Sequence, residues 1–153
     1  MPHPILATIS TKLAGSQLNE NDGELLIIHN GAWNPWTPYT SFTLLKKWHV
    51  FRDMTMNITP GAVNRSTLSS AAYLKGAGFR NPNGKFVIVL SSTAKTSLPA
   101  TITVDELAGT GAVAFTQYRT DTSANSVAST ITFNNGSATL SVPTKTSLVL
   151  VQN

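Results

Sequence analysis

The sequence has no cysteine, which excludes disulfides, thiolate nucleophiles and zinc sites built on Cys ligands. Charge is also scarce: charged residues make up 12% of the chain, about half of the ~25% usual for a soluble domain. The acids are Glu20, Asp22, Glu24, Asp53, Asp105, Glu106 and Asp121, so paired-carboxylate chemistry has few places to form. No apolar run reaches the ~20 residues that span a bilayer, and no membrane partner is expected. His3, His29 and His49 are widely spaced and lack metal-ligand spacing, so no metal or other cofactor is expected. A Gly-x-Ser-x-Gly elbow is missing. Gly76-Ala77-Gly78 lacks the lysine and the helix that a phosphate loop requires.

Basic residues outnumber acids, giving a net charge of +4 and a pI near 9.6. The eleven are scattered, with only Lys46 and Lys47 adjacent, and no stripe of aromatics and bases runs between them. This is a solvated surface with few acids, not a nucleic-acid footprint. The N-terminus, Met1-Pro2-His3-Pro4-Ile5-Leu6, lacks the charged region and long apolar stretch of a signal peptide.

Hydrophobic residues make up 41% of the 153, and Ser, Thr, Asn and Gly take the place of charge. That length fits one domain, 1–153, able to bury about 70% of its unfolded surface without a covalent staple. The mixture suits short strands with polar, uncharged outer faces. Ile5 to Leu13 alternates as a strand does, and Glu24 to His29 carries a continuous apolar run that reads as a buried strand. Apolar residues Tyr39, Phe42, Leu45, Trp48 and Phe51 recur every third position behind Thr37-Pro38, which predicts a helix over Tyr39–Phe51. This lead-in occupies 1–56.

From 57 onward the chain predicts short strands at even spacing. They cover Ser70–Phe79, Phe86–Ser91, Ala100–Val104, Ala112–Tyr118, Ser129–Phe133, Ser137–Val142 and Ser147–Val151. Turn chemistry separates them: Asn81-Pro82-Asn83-Gly84, Gly109-Thr110-Gly111 and Asn134-Asn135-Gly136, the last predicting a tight hairpin. The fold class expected is mainly β: an antiparallel, immunoglobulin-like β-sandwich over 57–153 with one helix in the N-terminal half.

The stretch Pro60-Gly61-Ala62-Val63, then Ala77 through Leu90 with Phe79-Arg80-Asn81-Pro82-Asn83-Gly84 at its centre, carries a family likeness. So do Ala114 through Thr120 and the closing Leu140-Ser141-Val142-Pro143 run to Leu150. In this order they resemble the C-terminal β-domain of clan A glycoside hydrolases, closest to family 30. The resemblance implies that Glu24–His29 and the helix after it correspond to the last strand and helix of a (β/α)₈ barrel. It also implies that the two catalytic glutamates of such enzymes, about 5–5.5 Å apart in retaining members, lie on barrel strands this chain does not carry. No catalytic residue is assigned, and an extracellular location is implied.

The aromatic loop carries the binding expectation. Sugar rings present apolar C–H faces that stack on Trp and Tyr, while amides bond the hydroxyls. Asn30, Trp33, Asn34, Trp36 and Tyr39 supply these parts in one proline-stiffened loop. Either Trp33 and Trp36 contact glycan, or they plug the seam between helix and sandwich. Glu20, Asp22 and Glu24 alternate as carboxylates on one strand face for acid/base work or calcium would, and Asp121 is of the type that meets a cation or sugar hydroxyl. The first three nonetheless read as a solvated turn, Asp121 as a polar loop, and Asp105-Glu106 as a turn or a sheet-edge charge. Three sequons, Asn57-Ile58-Thr59, Asn64-Arg65-Ser66 and Asn135-Gly136-Ser137, mark expected surface positions. Beside an independent hydrolase using a site the sequence does not reveal, two functions follow. One is a non-catalytic accessory or carbohydrate-binding module of a polysaccharide-degrading system. The other is the structural C-terminal part of a family 30-like glycosidase that partners a catalytic barrel.

Overall fold

Apolar runs and turn signals become strands where the ladder can pair them. A computed structural model describes residues 9–12, 26–29, 41–65 and 71–153, with side chains from residue 43 onward. The chain divides into two units, Met1–His49 and Val50–Asn153.

The first unit holds β1 (Ile9–Lys12), β2 (Leu26–His29) and β3 (Ser41–Leu44) in one sheet of order β1-β2-β3. β1 and β2 are parallel, with Ile9 opposite Leu26; β2 and β3 are antiparallel, with Leu26 opposite Leu44. The helix α1 follows as Lys46–Asn57. This corrects the expected helix over Tyr39–Phe51. A strict spacing of three lags a 3.6-residue turn by about 60° per step, so those aromatics wind around a helix instead of lining one face. Phe42 and Thr43 instead pair with Ile28 and Ile27 in the β2 ladder, an environment that suits aromatic and β-branched side chains. At the other end nothing in Arg52 through Asn57 breaks the helix. It stops only before Pro60, whose ring disfavours helical geometry in the preceding residue.

The second unit is one eight-stranded sheet. Its strands are β4 (Val63–Arg65), β5 (Leu74–Arg80), β6 (Phe86–Ser92), β7 (Leu98–Thr103), β8 (Ala112–Thr120), β9 (Val127–Asn134), β10 (Ser137–Val142) and β11 (Ser147–Gln152). They are antiparallel in the order β4-β5-β6-β11-β8-β9-β10-β7. The expected mainly-β class with antiparallel strands and one helix is present. The expected division into two sheets is not: a single ladder runs through all eight strands and curls into a half-barrel. The sequence predicts no strand at β4, because its three exposed residues carry no periodic signal.

The curl is made at the β9–β10 turn. Asn135 and Gly136 have φ of +48° and +81°, the mirror-image turn that Asn-Gly favours. The tight hairpin expected there stops after one pair, Asn134 with Ser137. β9 pairs along its length with β8, and β10 with β7. The two strands leave the turn to opposite walls of one core. Phe86, Ile88 and Leu90 of β6, Phe115, Phe133, and Leu148 and Leu150 of β11 pack in one cluster with Ala100, Ala138 and Val142 from β7 and β10. The Phe115 and Phe133 rings lie 4.4 Å apart and tilted.

Alternation would leave Val87 and Val149 on the other face of the sheet, yet they are only 0% and 2% exposed. β6 and β11 are therefore covered on both sides, as their unbroken apolar runs imply. The β5–β6 hairpin closes as its sequence predicts. Gly84 N–H donates to Asn81 O at 2.8 Å, and Gly84 has φ +83°.

Candidate functional site

The five residues expected to hold glycan, Asn30, Trp33, Asn34, Trp36 and Tyr39, lie outside the described residues. So do Glu20, Asp22, Glu24 and His3. His29 is on β2. Trp48 is half-buried on α1 with its ring edge-on to His49 at 5.1 Å. Tyr118 is half-buried on β8, whereas Tyr73 is 63% exposed.

In the second unit the curl leaves a cleft of about 840 Å³ whose floor is Leu74, Phe86, Ile88 and Leu90 from β5 and β6. Its opposite wall is β7 and the 3₁₀ turn Asp105–Leu107. Glu106, expected in a turn or as a sheet-edge charge, sits in that 3₁₀ turn. Its two oxygens meet Arg65 Nε at 3.2 Å and Arg80 Nη1 at 3.4 Å. All three side chains are more than 40% exposed, so each pair stabilises by at most about 1 kcal/mol. Arg80 also lies over the Phe86 ring, 5.8 Å from its centre. No local sequence signal joins Arg65 to Glu106; only the curl brings them together.

Two further carboxylates are buried and committed to structure. Asp53 on α1 accepts from Arg52 Nη2 and from Ser126 Oγ, both at 2.8 Å, and Ser126 also contacts Arg52. This ties the helix to the loop before β9. At the C-terminal end of α1, Asn81 Nδ2 donates to Asn57 O at 2.8 Å, and Asn81 Oδ1 accepts from Thr59 N–H at 3.1 Å.

Asp121 folds the β8–β9 loop around itself. Its Oδ1 accepts from Ser123 N–H, Ser123 Oγ and Ala124 N–H at 2.7 to 2.8 Å. Arg119 Nε stands 3.2 Å from Oδ2, but its N–H is not aimed there, so the attraction is Coulombic. Burial pushes the Asp121 carboxyl up. The Ser123 hydroxyl and amide, the Arg119 charge and the Ala124 amide outweigh it and hold the pKa below the ordinary carboxylate range. A carboxyl held ionised this way is a poor general acid, which needs a raised pKa.

The sign of the pH dependence follows. The folded pKa is depressed, so the Asp121 contribution is complete above the unfolded value of about 3.9 and is lost as pH falls through the lower folded value. Asp121→Asn is expected to lower stability at pH 7 by about 2 kcal/mol, the scale of charged hydrogen bonds. It is also expected to flatten the acid limb of the stability curve, as read by urea unfolding between pH 2 and 7.

Among the described residues no group of three His, Cys, Asp or Glu is placed to hold a metal. No described helix is long and apolar enough to cross a membrane.

The fold is similar to part of several solved structures described as family 30 glycoside hydrolases. Three of the structures it resembles are xylanases. A GH30 endoxylanase from Clostridium papyrosolvens C71 matches at 25% identity over 72% of this chain and 28% of that chain, with TM-score 0.64. The catalytic domain of GH30 xylanase C from Talaromyces cellulolyticus matches at 21% identity over 95% of this chain and 29% of that one, with TM-score 0.65. A family 30 subfamily 8 xylanase from Clostridium acetobutylicum matches at 18% identity, with TM-score 0.63 over 72% and 28%. These likenesses support a GH30-like relationship, and the chain spans less than a third of each neighbour's length. No protein-family model and no curated protein matches it.

Proposed function

We propose that this chain is a non-catalytic accessory β-domain of an extracellular, polysaccharide-degrading glycoside hydrolase system, and that it contacts the polysaccharide through the loop bearing Trp33, Trp36 and Tyr39. The observation that carries the reading is the structural likeness to xylan-acting family 30 enzymes over most of this chain and less than a third of theirs. The chemistry of the second unit fits a supporting role. Asp53, Glu106 and Asp121 each face an arginine and hold structure. Asn30 and Asn34 supply the amides that bond sugar hydroxyls beside the stacking rings. Isothermal titration against xylan, β-glucan and cellulose tests the loop. Trp33→Ala and Trp36→Ala are each expected to weaken binding about tenfold, the scale of one lost aromatic contact. Unchanged affinity in both variants would remove the loop from the account.

A second reading has its own support. On α1, Phe51 is 51% exposed and Met56 is 74% exposed, apolar surface of the kind that packs against another domain. In this reading the β-domain is the C-terminal part of a family 30-like enzyme and braces its catalytic barrel. Sedimentation of this chain with a family 30 barrel stripped of its own β-domain distinguishes the two. A complex lost in Phe51→Asp favours bracing; no complex favours the independent module.

A further inference from the structure

Three sequons occur in the chain, and the fold treats their asparagines differently. Asn57 closes α1: its Nδ2 donates to Asp53 O at 2.6 Å, and its own carbonyl accepts from Asn81. A sugar on that nitrogen would replace one of its two hydrogens and crowd both bonds. Asn135 is the left-handed residue of the β9–β10 turn, with φ +48°. Its main-chain N–H donates to Gly111 O at 2.7 Å, and its Oδ1 accepts from Gly111 N–H at 3.2 Å. That amide is oriented by the fold, in a turn whose next residue has no room to move: a Cβ on Gly136 would meet Val104 O at 2.6 Å.

Asn64 is unlike both. It sits in the middle of β4, which forms one edge of the eight-stranded sheet and, among the described residues, pairs only with β5. All three β4 residues are exposed. Among the described residues no hydrogen bond holds the Asn64 amide. Arg65 turns toward Glu106 at the cleft, and strand alternation sends Asn64 to the other face. The backbone here is already extended.

We infer that Asn64 is the acceptor for an N-linked oligosaccharide when the chain passes through a secretory pathway that carries the transferase. In the transfer, Asn64 Nδ2 forms a bond to C1 of the first N-acetylglucosamine of a lipid-pyrophosphate-linked oligosaccharide. The C1–O bond to the pyrophosphate breaks, the lipid pyrophosphate leaves, and the amide proton passes to the transferase. The position has a physical consequence. Among the described residues nothing pairs with the outer side of β4. Such an edge is a template for pairing with another chain, and a bulky hydrophilic glycan there blocks such pairing. The inference shares only the extracellular location with the proposed function and does not depend on polysaccharide binding.

The test is secretion of the full chain from a yeast host, followed by peptide N-glycosidase treatment in heavy-oxygen water and peptide mapping. The expected result is one glycan, with the mass tag on Asn64. Asn64→Gln and Ser66→Ala are each expected to remove the glycosidase-sensitive mobility shift, while Asn57→Gln and Asn135→Gln keep it. Mapping the unmodified chain gives the answer even if a variant fails to fold. A secreted chain with no glycan, or a tag on Asn57 or Asn135 in place of Asn64, overturns the inference whether or not the protein binds xylan.

Discussion

Replacing Phe133 by alanine is expected to cost about 3–5 kcal/mol, the range for large buried aromatics. Phe133 is fully buried on β9, and its ring meets that of Phe115 at 4.4 Å. It stands one residue before the turn at which the sheet curls. Its cluster therefore contains both β6, β8 and β11 on one side and β7 and β10 on the other. Neighbouring strands cannot collapse into the vacated space without drawing the two walls together, so both the transfer and the cavity contributions are lost in full. Since natural domains are stable by only about 5–15 kcal/mol, Phe133→Ala is expected to leave much of the chain unfolded at 37 °C. Phe133→Leu should recover more than half of the loss. Met56→Ala, at an exposed helix position, should stay within about 0.5 kcal/mol of the parent. Urea unfolding followed by far-UV circular dichroism measures all three. A Phe133→Ala loss below 1 kcal/mol would mean that the two walls do not share one core.

The second large effect is expected at Gly136, for a different reason. An alanine Cβ there would lie 2.6 Å from Val104 O and 3.0 Å from both Ala108 N and Leu107 C. All three are backbone atoms of the segment around the 3₁₀ turn and have no rotamer by which to retreat. Val104 N–H also donates to Gly136 O at 2.8 Å, so any shift that relieves the clash breaks this bond. Added to this is the cost of a side chain at φ +81°, about 1–2 kcal/mol. Gly136→Ala is therefore expected to destabilise by about 3 kcal/mol or more, summing overpacking and backbone strain. Gly109 separates the two contributions. It has φ +76°, but nothing lies within 4 Å of a Cβ built there, so Gly109→Ala should cost only about 1 kcal/mol. Equal losses at the two glycines would show that the turn does not press against Val104.

What the sequence made legible follows from how far apart the partners lie. Phe86-Val87-Ile88 and Leu148-Val149-Leu150 are runs that only a strand covered on both faces can bury, and they form β6 and β11. Asn81 through Gly84 carry their turn in local chemistry, and the turn forms. The failures lie where a distant partner decides. Asn134-Asn135-Gly136 specifies the turn but not what the strands do after it. Eight residues of β8 outcompete β10 for β9, and the hairpin becomes a corner. The Tyr39–Phe51 helix was displaced because β2 offers Phe42 and Thr43 a ladder. Glu106 gains its two arginines only through the curl. For the proposed site, sequence supplies the residue types in the aromatic loop, and stacking geometry is the part that must come from a bound sugar.

The central claim is a domain that binds polysaccharide without cutting it. The most direct measurement runs the intact chain through native gels cast with glucuronoxylan, β-glucan or no polymer, with a reducing-sugar assay on the same preparation. The account expects retarded migration in at least one polymer gel and no release of reducing ends over the buffer blank. Unretarded migration in every polymer, or steady release of reducing sugar, would contradict it.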